Sequence, residues 1–120
     1  MNTALVVEDG LTDMEIISKC LQDEGYYVIK AKSSEEAQII INQNQPNVIF
    51  LDVILPGKSG YEICRELKSD PKTTNIPVVI CSTKNSDVDK MWGTMLGADA
   101  YISKPIDRQE LATTLSQLIK

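Results

Sequence analysis

Apolar and polar positions alternate along this chain between two kinds of period. Ala4-Leu5-Val6-Val7 is apolar at every position, as expected of a strand covered on both faces. Leu11, Met14, Ile17 and Leu21 then recur at helical spacing, and Gly25 provides a stop. The pattern repeats: a β-rich run over 26–31, then a helix opened by Ser33-Ser34-Glu35-Glu36 with Ala37, Ile40 and Ile41 on one face and Pro46 closing it. A third strand, Val48 to Leu51, leads through a loop at 56–60 to a short helix bearing Tyr61, Ile63, Cys64 and Leu67. The spacing predicts further strands over 76–81 and 100–103. It also predicts a helix from Asp87 to Leu96, stopped by Gly97, and a last helix, capped by Asp107, carrying Leu111, Leu115, Leu118 and Ile119. Strands alternating with helical crossovers imply an α/β fold with a five-stranded, doubly wound parallel sheet covered on both faces by five helices.

The polar residues at the strand ends change this picture from a scaffold to a site. The first strand runs into Glu8-Asp9, the third into Asp52, the fourth into Ser82-Thr83, and the fifth into Lys104-Pro105. A carboxylate is costly to bury unpaired, so an acid after an apolar run is expected where the strand leaves the core. In open parallel sheets that edge is where ligands bind. Together these ends supply three carboxylates, a hydroxyl and an ammonium, a set suited to a divalent cation and a phosphoryl group.

Each part has a plainer reading. Glu8-Asp9 could serve only to start a helix, Ser82 to make a turn, and Lys104 to sit in solvent. As a set, Glu8 and Asp9 are expected to hold Mg²⁺ (or Mn²⁺), which takes carboxylates together with waters and phosphate oxygens. Asp52 completes the metal site and is the expected nucleophile, because carboxylates form aspartyl phosphates. The Ser82 hydroxyl would donate to a phosphoryl oxygen. Lys104 would pair with Asp52 and then with phosphate, aimed by the bend at Pro105, an X-Pro bond that can take the cis form.

The quoted motifs resemble a CheY-like receiver domain of two-component response regulators. They are Val7-Glu8-Asp9, Phe50-Leu51-Asp52 with Leu55-Pro56 and Gly60, Ile76-Pro77 through Ser82, Gly97-Ala98, and Tyr101 with Lys104-Pro105. The resemblance implies strand order 2-1-3-4-5, for which CheY is itself a stock example. It implies Asp52 as phosphoacceptor, Glu8, Asp9, Asp52 and the Ile54 backbone carbonyl as the metal set, and Ser82 with Tyr101 as a switch pair. Lys104 would contact the phosphate. The implied partners are a histidine kinase or phosphotransfer protein and a downstream protein target. Lys84-Asn85, Asp89, Trp92-Gly93 and Gly97-Ala98 resemble receivers of type IV pilus chemotaxis systems in particular. Three departures stand out: Glu8 replaces the more frequent Asp, Thr83 a smaller residue, and Ile54 and Lys84 flank a site where polar side chains are common.

Trp92, with Met91 and Met95, reads first as packing. The other reading is partner docking on the face of the last two helices and the fifth strand, which includes Tyr101.

Composition narrows the alternatives. The 120 residues are expected to form one receiver domain over 1–120. A net charge of −5 without a basic patch argues against nucleic acid, and the absence of histidine removes imidazole chemistry within the chain. Scattered Cys20, Cys64 and Cys81 are expected to be buried and reduced, and no apolar stretch is long enough for a membrane span. The expectation is therefore a cytoplasmic phosphoacceptor switch, a monomer or weak dimer, whose only chemistry is its own phosphorylation and dephosphorylation. The competing readings are a pseudo-receiver binding module and a haloacid-dehalogenase-type phosphohydrolase. The latter requires a second Asp where Ile54 stands. Flavin binding is disfavoured by the acidic turn Glu8-Asp9-Gly10.

Overall fold

The computed structural model describes residues 2–119. Five strands, β1 (Thr3–Val7), β2 (Tyr27–Ala31), β3 (Val48–Leu51), β4 (Val78–Ser82) and β5 (Ala100–Ser103), form one parallel sheet in the order β2-β1-β3-β4-β5. They alternate with α1 (Leu11–Asp23), α2 (Ser34–Gln43), α3 (Gly60–Ser69), α4 (Asp87–Met95) and α5 (Arg108–Leu118). The expected fold class and strand order are both present.

The continuous apolar strands are explained by their two faces. Successive side chains on a strand point to opposite sides. Ala4 and Val6 of β1 and Val48 and Phe50 of β3 therefore pack with Ile17 and Leu21 of α1 and Leu111 of α5. Leu5, Val7, Ile49 and Leu51 face the other way, onto Ala37 and Ile41 of α2 and Ile63 and Leu67 of α3. Both layers must be apolar, so no strand shows an in–out alternation. Cys20, Cys64 and Cys81 are buried within these layers as free thiols, and burial pushes the Cys64 thiol up to about 11.

Element boundaries differ from the sequence pattern in small ways, each with a cause. The fourth strand starts at Val78 and not at 76, because Pro77 has no N–H to give to a ladder. The Pro77 carbonyl still accepts from Ile49 N–H at 3.0 Å, while Ile76 closes a turn onto Thr73. Helix α4 stops at Met95, with Leu96 as its cap and Gly97 at φ 102°, a left-handed conformation that costs glycine little. Ile119 is the cap of α5 and not part of its body.

Strands β1 and β3 lie side by side at the centre, and the chain leaves them in opposite directions, β1 toward β2 and β3 toward β4. This is the topological switch point, where the carboxyl ends of neighbouring strands leave a crevice. Glu8-Asp9 and Asp52 follow those two strands.

Candidate functional site

Backbone hydrogen bonds fix how far each strand end projects. Asp52 N–H donates to the Val7 carbonyl at 3.1 Å, and Glu8 N–H to that of Ala31 at 2.9 Å. Lys104 N–H donates to the Ser82 carbonyl at 3.0 Å, carrying the end of β5 alongside that of β4. The acid of β3, the acids of β1 and the lysine of β5 are thereby brought to one edge.

One carboxylate oxygen each of Glu8, Asp9 and Asp52 lies within 4.8 Å of the other two. Glu8 is fully buried, Asp52 nearly so, and Asp9 exposed. An all-oxygen set of this density suits a hard divalent cation, which keeps waters on its open side. The residues therefore fit Mg²⁺ or Mn²⁺. Burial raises the Glu8 pKa above the usual carboxylate range, against the lowering influence of its hydrogen bonds to Lys104 and to Gly10 N–H (2.9 Å). The Ile54 backbone follows two residues after Asp52, and its side chain stands exposed.

Lys104 occupies the middle of the acids. Its Nζ donates to Glu8 Oε1, to Asp13 Oδ2 at 3.0 Å and to Asp52 Oδ2 at 3.2 Å. Burial opposes the charged ammonium, but the hydrogen bonds to Glu8 and Asp13 and the charge of Asp52 outweigh it, so its pKa is raised. Asp52 Oδ1 meanwhile accepts from Val53 N–H at 2.7 Å, which orients the carboxylate.

The loop after Asp52 is closely tied down. Gly60 begins α3 against the Asp52 carbonyl, where any Cβ would overlap the backbone, and its N–H donates to Val53 at 2.8 Å. Farther along, Lys58 N–H donates to Ser34 Oγ at 3.0 Å, joining this loop to the start of α2.

Ser82 is fully buried, and its hydroxyl oxygen accepts from Lys84 N–H at 3.1 Å. Tyr101 lies half-buried. Its ring lies against Gly93, and its hydroxyl donates to the Lys84 carbonyl beside the Tyr61 hydroxyl, which donates to Asp89 O at 3.1 Å. The expected switch pair thus shares one loop: Ser82 bonds the amide of Lys84 and Tyr101 its carbonyl.

One reading needs correction, and one residue escapes the sequence pattern. Trp92, Met91 and Met95 do not pack inside: with Val88 they form an exposed apolar stripe on α4, spaced i, i+3, i+4 and i+7. Asp13 was not expected at the site at all. It is the third residue of α1, where an acid is ordinarily read as favouring the helix dipole. Side chains on a helix lean toward its N-terminus, and here that direction leads to Lys104. The signal available was an acid one turn beyond Glu8-Asp9.

Similar proteins carry the same architecture. The chain is 34% identical to Protein PilH of Pseudomonas aeruginosa over 119 residues, 99% of this chain and 98% of that protein. Among solved structures, a Chloroflexus aurantiacus protein assigned as a response regulator matches with TM-score 0.93 at 33% identity, covering 98% of this chain and 96% of that one. Chemotaxis response regulator CheY4 of Vibrio cholerae matches with TM-score 0.90 at 28% identity, over 99% of each chain. Residues 4–116 match the response regulator receiver domain, and the chain belongs to that family.

Proposed function

We propose that Asp52 takes a phosphoryl group from a phosphohistidine, on a histidine kinase or phosphotransfer protein, and that the phosphorylated chain binds a downstream protein. Receiver domains are signalling switches that take phosphate from such donors. The observation that carries the assignment to Asp52 is its place within hydrogen-bonding distance of Lys104 and beside Glu8 and Asp9.

In the transfer, an Asp52 carboxylate oxygen attacks phosphorus, the P–N bond breaks, and the electron pair returns to the imidazole nitrogen. Hydrolysis later returns the carboxylate and inorganic phosphate. Bound by Glu8, Asp9, Asp52 and the Ile54 carbonyl, Mg²⁺ would offset negative charge on the phosphoryl oxygens. Lys104 supplies a second cation, and the Val53 amide fixes one carboxylate oxygen so that the other can react. The Ser82 hydroxyl, once it donates to a phosphoryl oxygen, no longer serves the Lys84 amide in the same way. That disturbs the loop holding the Tyr101 hydroxyl, so Tyr101 turns inward. The change is a population shift, driven by contacts the phosphoryl group makes in one arrangement only.

The exposed stripe of Val88, Met91, Trp92 and Met95 supports protein docking at α4, next to Tyr101. Met and aromatic residues are favoured on such surfaces. The resemblance to type IV pilus chemotaxis receivers and the full-length likeness to PilH support a role in that kind of pathway. The chain works as a single receiver unit over 1–120 in this reading, in the cytoplasm, as a monomer or weak dimer. Among the described residues, no helix is long and apolar enough to cross a membrane.

The test is incubation with acetyl phosphate, followed by intact mass. A single phosphoryl adduct that requires Mg²⁺ and disappears in Asp52→Asn is expected. An adduct that survives Asp52→Asn would sink the assignment.

A further inference from the structure

An ammonium has three N–H donors, and Lys104 spends all three on carboxylates: Glu8, Asp13 and Asp52. These partners are not equivalent. The side chains of Glu8 and Asp52 are 2% and 10% exposed, and that of Asp13 is 36% exposed. We propose that Asp13 is a positioning residue for Lys104, a resting-state tether that the ammonium must release before it can serve a phosphoryl group on Asp52. The proposal rests on the phosphoacceptor reading and adds to it a residue that limits how fast phosphate is taken.

The choice of partner to be released follows from desolvation. Taking Lys104 from Glu8 would break an ion pair between side chains only 6% and 2% exposed, where solvent cannot replace the lost hydrogen bond, which is costly. Taking it from Asp13 leaves a carboxylate that water reaches, and an exposed ion pair is worth little. The tether at Asp13 is therefore the one that yields. Asp13 also brings to four, with Glu8, Asp9 and Asp52, the carboxylates gathered at this sheet edge. An incoming phosphodonor is itself anionic, so Asp13 repels it as well as holding the lysine back. Both effects slow phosphorylation.

The two effects separate in kinetics. Repulsion acts on the donor concentration giving half the limiting rate and weakens with added salt. Release of the lysine acts on the limiting rate and is screened less, because the Lys104 side chain is itself buried at 6% exposure. Asp13→Asn keeps the shape and removes the charge, while Asp13→Glu keeps the charge.

The experiment measures phosphorylation by acetyl phosphate at saturating Mg²⁺ in the wild type, Asp13→Asn and Asp13→Glu, across donor concentration and at low and high salt. Asp13→Asn is expected to raise the limiting rate about three- to fivefold, the size of a weak ion pair, at both salt concentrations. Asp13→Glu is expected to restore the slower rate. A limiting rate in Asp13→Asn that equals or falls below the wild-type value overturns the tether. A gain that vanishes at high salt also overturns it and leaves repulsion alone. If the wild type takes no phosphate while remaining folded, the phosphoacceptor reading itself fails, and this inference with it.

Discussion

Helices α3 and α4 are neighbours of nearly equal length, and they are held by different means. α3 drives Ile63, Cys64 and Leu67 into the layer below the sheet. α4 buries Gly93 alone and turns Val88, Met91, Trp92 and Met95 to solvent. At its N-terminus the balance reverses. Ser59 caps α3 by accepting from Glu62 N–H at 3.3 Å. Ser86 and Asp89 cap α4 reciprocally, Ser86 Oγ accepting from Asp89 N–H at 3.1 Å and Asp89 Oδ2 from Ser86 N–H at 3.2 Å. A helix anchored by burial cannot move without opening the core. A helix anchored by its cap, by the Tyr61 hydrogen bond to Asp89 and by the Tyr101 ring can shift while losing little apolar contact, the physical content of a low-stability segment. That difference suits α3 to hold the Asp52 loop and α4 to report on it.

The strongest test of the contrast is truncation. Leu67→Ala removes a side chain that is 4% exposed and should cost about 2–5 kcal/mol, the range for a leucine in a packed core. Met91→Ala, at an exposed site, should stay within about 0.5 kcal/mol. Denaturant unfolding of the two variants decides it. A comparable loss for Met91→Ala would mean that the α4 stripe is covered in solution, as by a second copy of the chain. Protein-concentration dependence of that loss would then identify the cover.

A smaller effect is expected at Gly93. Alanine is preferred to glycine within a helix by about 1 kcal/mol. Here, however, a Cβ would lie 2.9 Å from Tyr101 Cδ2 and 3.3 Å from Ile80 Cδ1. Overpacking of this kind typically costs about 1–3 kcal/mol, so Gly93→Ala should be destabilising by roughly 1 kcal/mol net. The ring or the helix must give way, so resonances of Tyr101 and α4 should shift while those of α3 stay in place. Unchanged stability together with an undisturbed Tyr101 ring would show that the ring does not anchor α4.

The same pair of helices shows what the amino-acid pattern could convey. α3 was legible because Ile63, Cys64 and Leu67 share one helical face and that face is the buried one. In α4 the stripe Val88, Met91, Trp92 and Met95 is just as periodic, but periodicity states which residues share a face and not where the face points. The buried side of α4 is nearly invisible in sequence, because its deepest residue is a glycine and the space is filled by Tyr101 from β5. The strand-end acids, Ser82 and Lys104 were legible for the opposite reason: each interrupts an apolar run whose ending forces it to the sheet edge. Asp13 follows no such run, and at the start of a helix an acid has an ordinary explanation that conceals its contact with Lys104.

The smallest predicted effect separates the two caps by their pH dependence. Removing a serine cap costs about 1 kcal/mol in either helix, so Ser59→Ala and Ser86→Ala should be similar near neutral pH. They should diverge in acid. The Ser86 hydroxyl, followed by the Ser86 amide, holds the Asp89 carboxyl below its ordinary value of 3.8. A carboxyl with a lowered pKa in the folded state contributes stability that is fully present above the unfolded value. That contribution is lost as pH falls through the folded one. Ser86→Ala removes the hydrogen bond that causes the shift. Its deficit relative to wild type should therefore be full above pH 3.8 and narrow as pH falls below it. No reciprocal acid bond supports the α3 cap, so the Ser59→Ala deficit should lack this narrowing. Unfolding free energies of the three proteins, followed from neutral pH into acid, make the comparison. Parallel curves for the two variants would show that Asp89 adds nothing to the hold on α4 beyond what a lone serine provides.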